Sequence, residues 1–387
     1  MEGKRWTRRR FLGRSVLAAA AVGSPLWAET GKALREIAAG GPWLIGGVTS
    51  GGVIAKDPEF AARLVRECNA ITPEAELKWA SLCPHSEVYD FTRADSFIAW
   101  AQSQKLTIRG HNLLWPNYGT PEWVRGKISA GNARAMLENH IRTVAGRYAG
   151  KLYSWDVLNE ALNVWDKRPD GLAKYPWAQY LGQEYVDLAF HVASVSDPAA
   201  RLIWNEHYLE SDDHGDQVDR DLFLGHLRRL RKSNVPIHGI GIQSHLFADK
   251  PIATERMQRF LGEVRSLGYE VQLSEIDVDD TSLPADPARR DAACADVLRR
   301  YLDVVLPLAQ PTVLSFWTLS DRYNWLDWAG ETQPKYHRAD GTKHRPGLLD
   351  SNLRAKPEYV VVAAALARFS QPAPTTPARS PGRPRSR

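Results

Sequence analysis

Short apolar runs alternate along this chain with longer segments whose apolar residues recur at helical spacing. The runs fall near residues 44–49, 70–72, 106–115, 152–158, 201–204, 237–243, 269–273 and 313–318. Between them lie segments such as 132–148, where Ala135, Leu137, Ile141, Val144 and Ala145 fall on one face of a 3.6-residue period. Eight runs, each followed by a helix-sized segment, predict an α/β fold, a closed (β/α)8 TIM barrel of ordinary size. The rival is an open doubly wound sheet, which advertises its nucleotide site by a glycine-rich turn after the first strand. Here Gly239-Ile240-Gly241 has only two glycines and runs on into Ile242-Gln243-Ser244-His245, and no Walker-type lysine motif occurs. The closed barrel is the better prediction. No low-complexity break interrupts the body between about Trp43 and Ser370, so a single domain is expected over 29–370.

The two ends of the chain depart from this pattern, and they carry its charge. The 387 residues are 43% hydrophobic and 25% charged, the composition of a globular protein, with a formal net charge of +5. Lys4, Arg5, Arg8, Arg9, Arg10 and Arg14 stand against the single acid Glu2 in residues 1–28, and Arg379, Arg383, Arg385 and Arg387 lie in the last segment, 371–387. In the body between them acids outnumber bases. A nucleic-acid partner therefore loses its main support, and none is expected.

The first segment has a basic start, an apolar stretch over 15–26 too short for the roughly 20 residues of a bilayer span, and a cleavage point expected after Ala28. Thr7-Arg8-Arg9-Arg10-Phe11-Leu12 resembles the twin-arginine export signal of bacteria. Twin-arginine export machinery is thus an expected partner, the periplasm or the exterior the expected location, and stable membrane association after processing is not expected. Residues 371–387, rich in Pro, Arg and Ser, cannot supply a core and are expected to be a disordered tail. The three cysteines, Cys68, Cys83 and Cys294, form no CxxC or Cys/His cluster of zinc type. Buried free thiols are expected, with a bridge between Cys68 and Cys83 left open.

In a barrel of this kind, chemistry collects where strands end and the following loops begin. The fourth run ends in Trp155-Asp156-Val157-Leu158-Asn159-Glu160, the sixth in Gln243-Ser244-His245, and the seventh in Ser274-Glu275-Ile276-Asp277. The third carries Arg109-Gly110-His111 toward Trp115, and the eighth gives Trp317, then Asp321 and Trp325. Two glutamates directed at one barrel mouth are what glycosidic cleavage needs: one protonates the leaving oxygen while the other attacks the anomeric carbon or activates water. Aromatic walls suit the apolar C–H faces of sugar rings, and the chain has 14 tryptophans. A lone strand-end glutamate is more often a solvated loop residue. It is the joint placement that points to a site.

These residues resemble glycoside hydrolase family 10, the (β/α)8 endo-1,4-β-xylanases, from about Ile45 to Leu366. The matching segments are Trp155-Asp156-Val157-Leu158-Asn159-Glu160-Ala161 and Leu273-Ser274-Glu275-Ile276-Asp277-Val278. Arg109-Gly110-His111, Gly241-Ile242-Gln243-Ser244-His245, Glu76-Leu77-Lys78-Trp79, Ser196-Asp197-Pro198 and Lys356-Pro357 support them. The resemblance implies a retaining double displacement with Glu160 as acid/base, protonated at the start, and Glu275 as ionised nucleophile. It implies that His245 donates to Glu275, that Asp277 orients the imidazole, and that Asn159 meets the 2-hydroxyl of the sugar. Glu74, Lys78, His111, Trp115, Gln243, Trp317 and Trp325 would bind substrate. The mechanism asks for no metal or cofactor, and a monomer is expected.

Three segments depart from the family pattern. Glu74-Ala75 stands where an amide usually follows the glutamate. Pro116-Asn117-Tyr118-Gly119 replaces a usual His-Ser-Gln with one residue more, and Asn205-Glu206-His207-Tyr208 replaces Asn-Asp-Tyr-Asn. The expected activity is therefore hydrolysis of internal β-1,4 bonds of xylan or xylo-oligosaccharides. The alternatives are a retaining β-glycanase acting on short oligosaccharides or another β-glycan, and a non-catalytic carbohydrate-binding relative.

Overall fold

The computed structural model of the protein describes residues 31–85 and 87–369. The expected export segment and tail lie outside the described residues. Among the described residues are nine parallel strands, of which all but β7 fall on predicted runs: β1 (Leu44–Thr49), β2 (Ala70–Pro73), β3 (Thr107–Gly110), β4 (Ser154–Asn159), β5 (Arg201–Glu206), β6 (Gly239–Ile242), β7 (His245–Phe247), β8 (Glu270–Asp279) and β9 (Val313–Phe316). Each of β1 to β5 pairs with the next; β6 then pairs with β8, β8 with β9, and β9 returns to β1. Eight of the nine strands thus close into the expected barrel. β7 lies outside the ring and pairs only with the outer half of β8, His245 opposite Asp277.

The helices between strands begin where the local chemistry allows. The helix Pro58–Glu67 has proline at its first turn, and the Asp57 carboxylate accepts from the Phe60 amide at 2.9 Å. The helix Pro287–Ala309 repeats the device with Asp286 and Arg289. Both satisfy an N–H that has no partner within the helix. The helix expected over 132–148 spans Ala133–Arg147 and buries Leu137, Ile141, Val144 and Ala145. These side chains join one continuous core between barrel and helices, each large aliphatic contributing about 1.5–3 kcal/mol when fully buried. The helix Pro357–Phe369 packs against Pro287–Ala309.

The barrel interior is not wholly apolar. Arg109 of β3 pairs with Asp156 of β4 at 2.5 Å and donates from Nε to Gln272 of β8 at 2.8 Å. His111 shares Asp156 through its Nδ1, 2.8 Å away. The buried charges meet one another, which offsets much of the cost of burial, although Arg109 Nη1 has no hydrogen-bond partner among the described residues. The segment Ser196-Asp197-Pro198 is structural: Asp197 accepts from Trp155 Nε1 and from the Gly150 amide. Lys356 is structural too, a buried ammonium held by Asp321 and by the Arg345 and Gly347 carbonyls. All three cysteines are buried and free, so the open alternative of a Cys68 to Cys83 bridge is not realised.

Two expectations about elements are corrected. The third run was expected to continue to residue 115, but β3 stops at Gly110, and pairing with β4 resumes through the amides of Leu113 and Leu114 and the Leu114 carbonyl, which accepts from Asn159. The run expected over 237–243 does not end the local strand structure. Ser244, at φ +64°, turns the chain, and His245 starts β7.

Candidate active site

Both glutamates sit beside irregularities in the strands that carry them. β4 slips register against β5 between Asp156 and Leu158, and β8 slips against β9 between Leu273 and Ile276. Such bulges re-aim the side chains that follow. Glu160 has φ +50°, a conformation costly for a residue with a Cβ, and its amide is held by the Asn205 carbonyl at 2.9 Å. Just beyond it, the amides of Ala161 and Leu162 and the indole N–H of Trp204 all donate to Glu206 Oε1, at 2.7, 2.9 and 2.8 Å. Burial holds the Glu206 carboxyl well above the usual carboxylate range. It anchors the turn that presents Glu160.

The two carboxylates meet different partners. Glu160 Oε1 accepts from Gln243 Nε2 at 3.0 Å and Asn159 Nδ2 at 3.2 Å, and Oε2 accepts from Trp115 Nε1 at 3.0 Å. His207 Nδ1 lies 3.5 Å from Oε2. Glu275 Oε1 accepts from Asn205 Nδ2 at 2.6 Å, and His245 Nε2 stands 3.3 Å from Oε2. Behind the imidazole, Asp277 lies 2.6 Å from Nδ1, and Trp325 Nε1 fixes the other oxygen of Asp277 at 2.7 Å. Burial would push His245 down, but Asp277 and Glu275 outweigh it and hold the imidazole well above its ordinary value. Burial would likewise raise Glu275, yet the hydrogen bond from His245 and the positive field of His111, His245 and Arg109 bring it down to about 2.

One amide chain joins the two halves. Asn205 Nδ2 reaches both Glu275 and Asn159 Oδ1, the latter at 2.8 Å, and Gln243 Nε2 reaches both Asn159 and Glu160. Asn205 is itself aligned by Ser274 Oγ, which donates to its Oδ1 at 2.6 Å. Gly241 makes room for it, since a Cβ there would lie 2.0 Å from Asn205 Oδ1. The glycine that failed as part of a nucleotide motif has this local reason.

The remaining expected residues line the same cleft. The ammonium of Lys78 stands 5.0 Å from the Trp115 ring centre and 5.7 Å from that of Trp317. Burial pushes Lys78 down and Glu74 up, each against the opposing charge of the other. Trp317 presents its ring edge-on to His111 and His245, with centres 5.3 and 6.1 Å apart, and Trp325 lies 5.1 Å from His245. Two side chains turn out to do more than their expected contact with sugar, because Trp115 and Gln243 both grip Glu160. Two others, Asn205 and His207, touch the carboxylates although their segment drew notice only as a departure. Their position at the end of a barrel strand was the available signal. Asp321, another strand-end acid, instead serves Lys356 and the Gly347 amide.

A charged histidine locking one of two facing glutamates as an anion, with the other left on neutral N–H donors, is the geometry of a glycosidase pair. The sequence profile of glycosyl hydrolase family 10 matches residues 33–365. The chain belongs to glycosyl hydrolase family 10. It is 33% identical over 310 residues to a β-1,4-xylanase of Dictyoglomus thermophilum, covering 76% of this chain and 81% of that protein. Against endo-1,4-β-xylanase A of Caldicellulosiruptor sp. it is 34% identical over 283 residues, covering 67% of this chain but only 39% of that longer protein. Among solved structures, xylanase 10B of Thermotoga maritima superposes with a TM-score of 0.77 at 26% identity, covering 87% of this chain and 99% of that one. The xylanase 10B of Thermotoga petrophila, solved with xylobiose, gives 0.77 at 25% identity, covering 88% and 98%.

Proposed function

We propose that this family 10 member is a retaining endo-1,4-β-xylanase acting on xylan or xylo-oligosaccharides. The observation that carries the reading is the asymmetric pair: Glu275, held ionised by charged His245, faces a cleft also reached by Glu160. In the first step Glu275 attacks the anomeric carbon while Glu160 gives its proton to the departing glycosidic oxygen, leaving a glycosyl ester on Glu275. In the second, Glu160 takes a proton from water as that water displaces Glu275, so two inversions return the β configuration. The chain Glu275–Asn205–Asn159 places an amide beside the nucleophile, where the sugar 2-hydroxyl would lie. Lys78, His111, Trp317 and Trp325 supply the polar and aromatic wall for the donor sugars.

Release of reducing ends from xylan, absent with Glu160→Gln and Glu275→Gln, tests the activity; a parent protein as inert as the two variants refutes it. A narrower substrate range has its own support, because Ala75 offers no polar group and Tyr118, 74% exposed, stands 5.5 Å from Trp115 on the altered loop. Comparing rates on xylo-oligosaccharides of increasing length with rates on other β-glycans separates the two. A binding-only role is the reading in which tight binding of xylo-oligosaccharide comes without turnover.

The proposed address is the periplasm or the exterior, reached by twin-arginine export that residues 1–28 direct, and the exported protein is proposed to be a monomer. Arg8→Lys with Arg9→Lys in the full chain should leave the precursor in the cytoplasm, and export of that variant at the parental rate would remove the proposal. Among the described residues no helix is long and apolar enough to cross a membrane.

A further inference from the structure

Past the cleft, at the outer end of β8, three side chains converge from segments far apart in sequence. Asp279 and Asp280 end the strand region that carries Glu275, and His344 lies in the segment beyond the helix Trp325–Thr332 that follows β9; one ligand-type atom from each lies within 4.8 Å of the others. All three are buried, with Asp280 fully enclosed at 0% exposure and His344 at 4%.

The hydrogen bonding leaves this group incomplete. Asp280 Oδ2 is well served by the Arg290 guanidinium and by the Arg345 amide at 3.0 Å. Its second oxygen, Oδ1, is buried with no hydrogen-bond partner among the described residues. Asp279 accepts only from the amide and hydroxyl of Thr281 and forms no salt bridge among the described residues, whereas Asp280 is paired with Arg290. A buried carboxylate without a counter-charge is expensive, and so is a buried oxygen without a donor. A bound cation answers both.

His344 is set up to ligate. Its Nδ1 lies 3.1 Å from Asp327 Oδ1, and Nε2 faces the Thr281 hydroxyl at 3.1 Å. With Asp327 holding Nδ1 as N–H, Nε2 offers its lone pair to a metal once the Thr281 hydroxyl, which donates to Asp279, turns away from it. Two carboxylates and an imidazole form a donor set suited to a first-row transition cation rather than to Mg²⁺ or Ca²⁺, which favour oxygen alone.

We propose that Asp279, Asp280 and His344 bind one divalent transition cation, Zn²⁺ or Mn²⁺, as a structural clamp. The ion ties the end of β8 to the segment after the helix Trp325–Thr332. That helix carries Trp325, which holds Asp277, and Asp327, which holds His344, so the clamp braces one wall of the cleft from outside and takes no part in bond cleavage. The reading of the site as a xylanase cleft is not needed for it.

The test uses the purified full chain, stripped with chelator, dialysed, and titrated with Zn²⁺, Mn²⁺ or Ca²⁺ while metal content and melting temperature are followed. The expected result is about one Zn²⁺ or Mn²⁺ retained per chain and a melting temperature several degrees above the stripped protein, with Ca²⁺ much less effective. Asp279→Asn and His344→Gln should each lose both the retained metal and the metal-dependent rise. Melting of the stripped variants shows that they fold. Should either fail to fold, the parent decides by itself, since a melting temperature indifferent to chelator and to added Zn²⁺ and Mn²⁺ overturns the proposal. Retained metal and an undiminished rise in both folded variants overturns it equally, by placing the ion elsewhere.

Discussion

Glu160 and Glu275 enter the same cleft from barrel strands separated by β5 and β6, and the chain treats them in opposite ways. Glu275 is enclosed, with its side chain 4% exposed, and faces a histidine kept charged by Asp277. Glu160 is more open at 15%, and its oxygens meet two amides, an indole and the nearby His207 ring. One environment fixes a charge; the other leaves a carboxyl beside the opening, where a leaving group and then water can exchange a proton with it. In the proposed mechanism, two chemically identical side chains take two roles set by their neighbours. The intervening strands supply the link, Asn205 from β5 and Gln243 from the end of β6.

The largest expected effect comes from removing the fixed charge. Glu275→Ala should lower xylan hydrolysis by at least ~10⁴-fold, the scale on which loss of a covalent nucleophile acts. Added azide should restore turnover and give the α-glycosyl azide, formed by a single inversion. Glu160→Ala should cost about 10²–10⁴-fold on xylan and far less on aryl xylobiosides whose leaving groups need no proton. Azide should there give the β-glycosyl product instead. Identical azide products from the two variants would erase the contrast.

A smaller effect is expected from uncharging the partner of Glu275. With its value depressed to about 2 from the ordinary 4.5, ionised Glu275 contributes stability above 4.5 that is lost as pH falls through about 2. His245, raised above its ordinary 6.5, contributes below that value and loses the contribution as pH rises through its elevated folded value. His245→Gln should therefore move the acid limb of the kcat/KM profile upward, toward the ordinary carboxylate range, and should flatten the loss of stability at high pH. Profiles of kcat/KM and urea midpoints measured across pH check both.

Next comes Gly241→Ala. Its Cβ would collide with Asn205 Oδ1, so activity should fall about tenfold or more, with a stability loss of about 1–3 kcal/mol from overpacking. The smallest effect is expected at His207. His207→Phe keeps the ring but removes the contact with Glu160, and should change kcat/KM on xylan a few-fold while sparing substrates with good leaving groups. A pH profile identical to the parent's would show that the contact is idle.

Much of this arrangement was legible in the chain because barrel strands and their helices differ in period. Each of the eight runs overlaps one of the eight barrel strands, though not always end to end, and Asn159-Glu160 and Ser274-Glu275 stood out as polar ends of apolar runs. What stayed hidden depends on pairing between distant segments. β7 exists because the turn at Ser244 brings His245 alongside the extended end of β8, and a three-residue strand has no period to detect. Trp115 and Gln243 read as sugar contacts, since nothing in their local sequence says that Glu160 lies within hydrogen-bond reach. Asn205 could be noticed only as part of an altered segment, because its reach to Glu275 spans 70 positions. His344 carried no signal at all, being separated by 63 positions from Thr281 and held by Asp327.

The most direct test of the division of labour between the carboxylates is to trap the covalent state. A 2-deoxy-2-fluoro-β-xylobiosyl fluoride slows both steps by destabilising the oxocarbenium-like transition state, while its good leaving group allows the first step to proceed without an acid. Incubation with the purified protein, followed by proteolysis and mass spectrometry, should find one fluoroxylobiosyl adduct per chain on the peptide bearing Glu275, formed by Glu160→Ala as well as by the parent. An adduct on any other residue, or an active enzyme that accumulates none, would contradict the account.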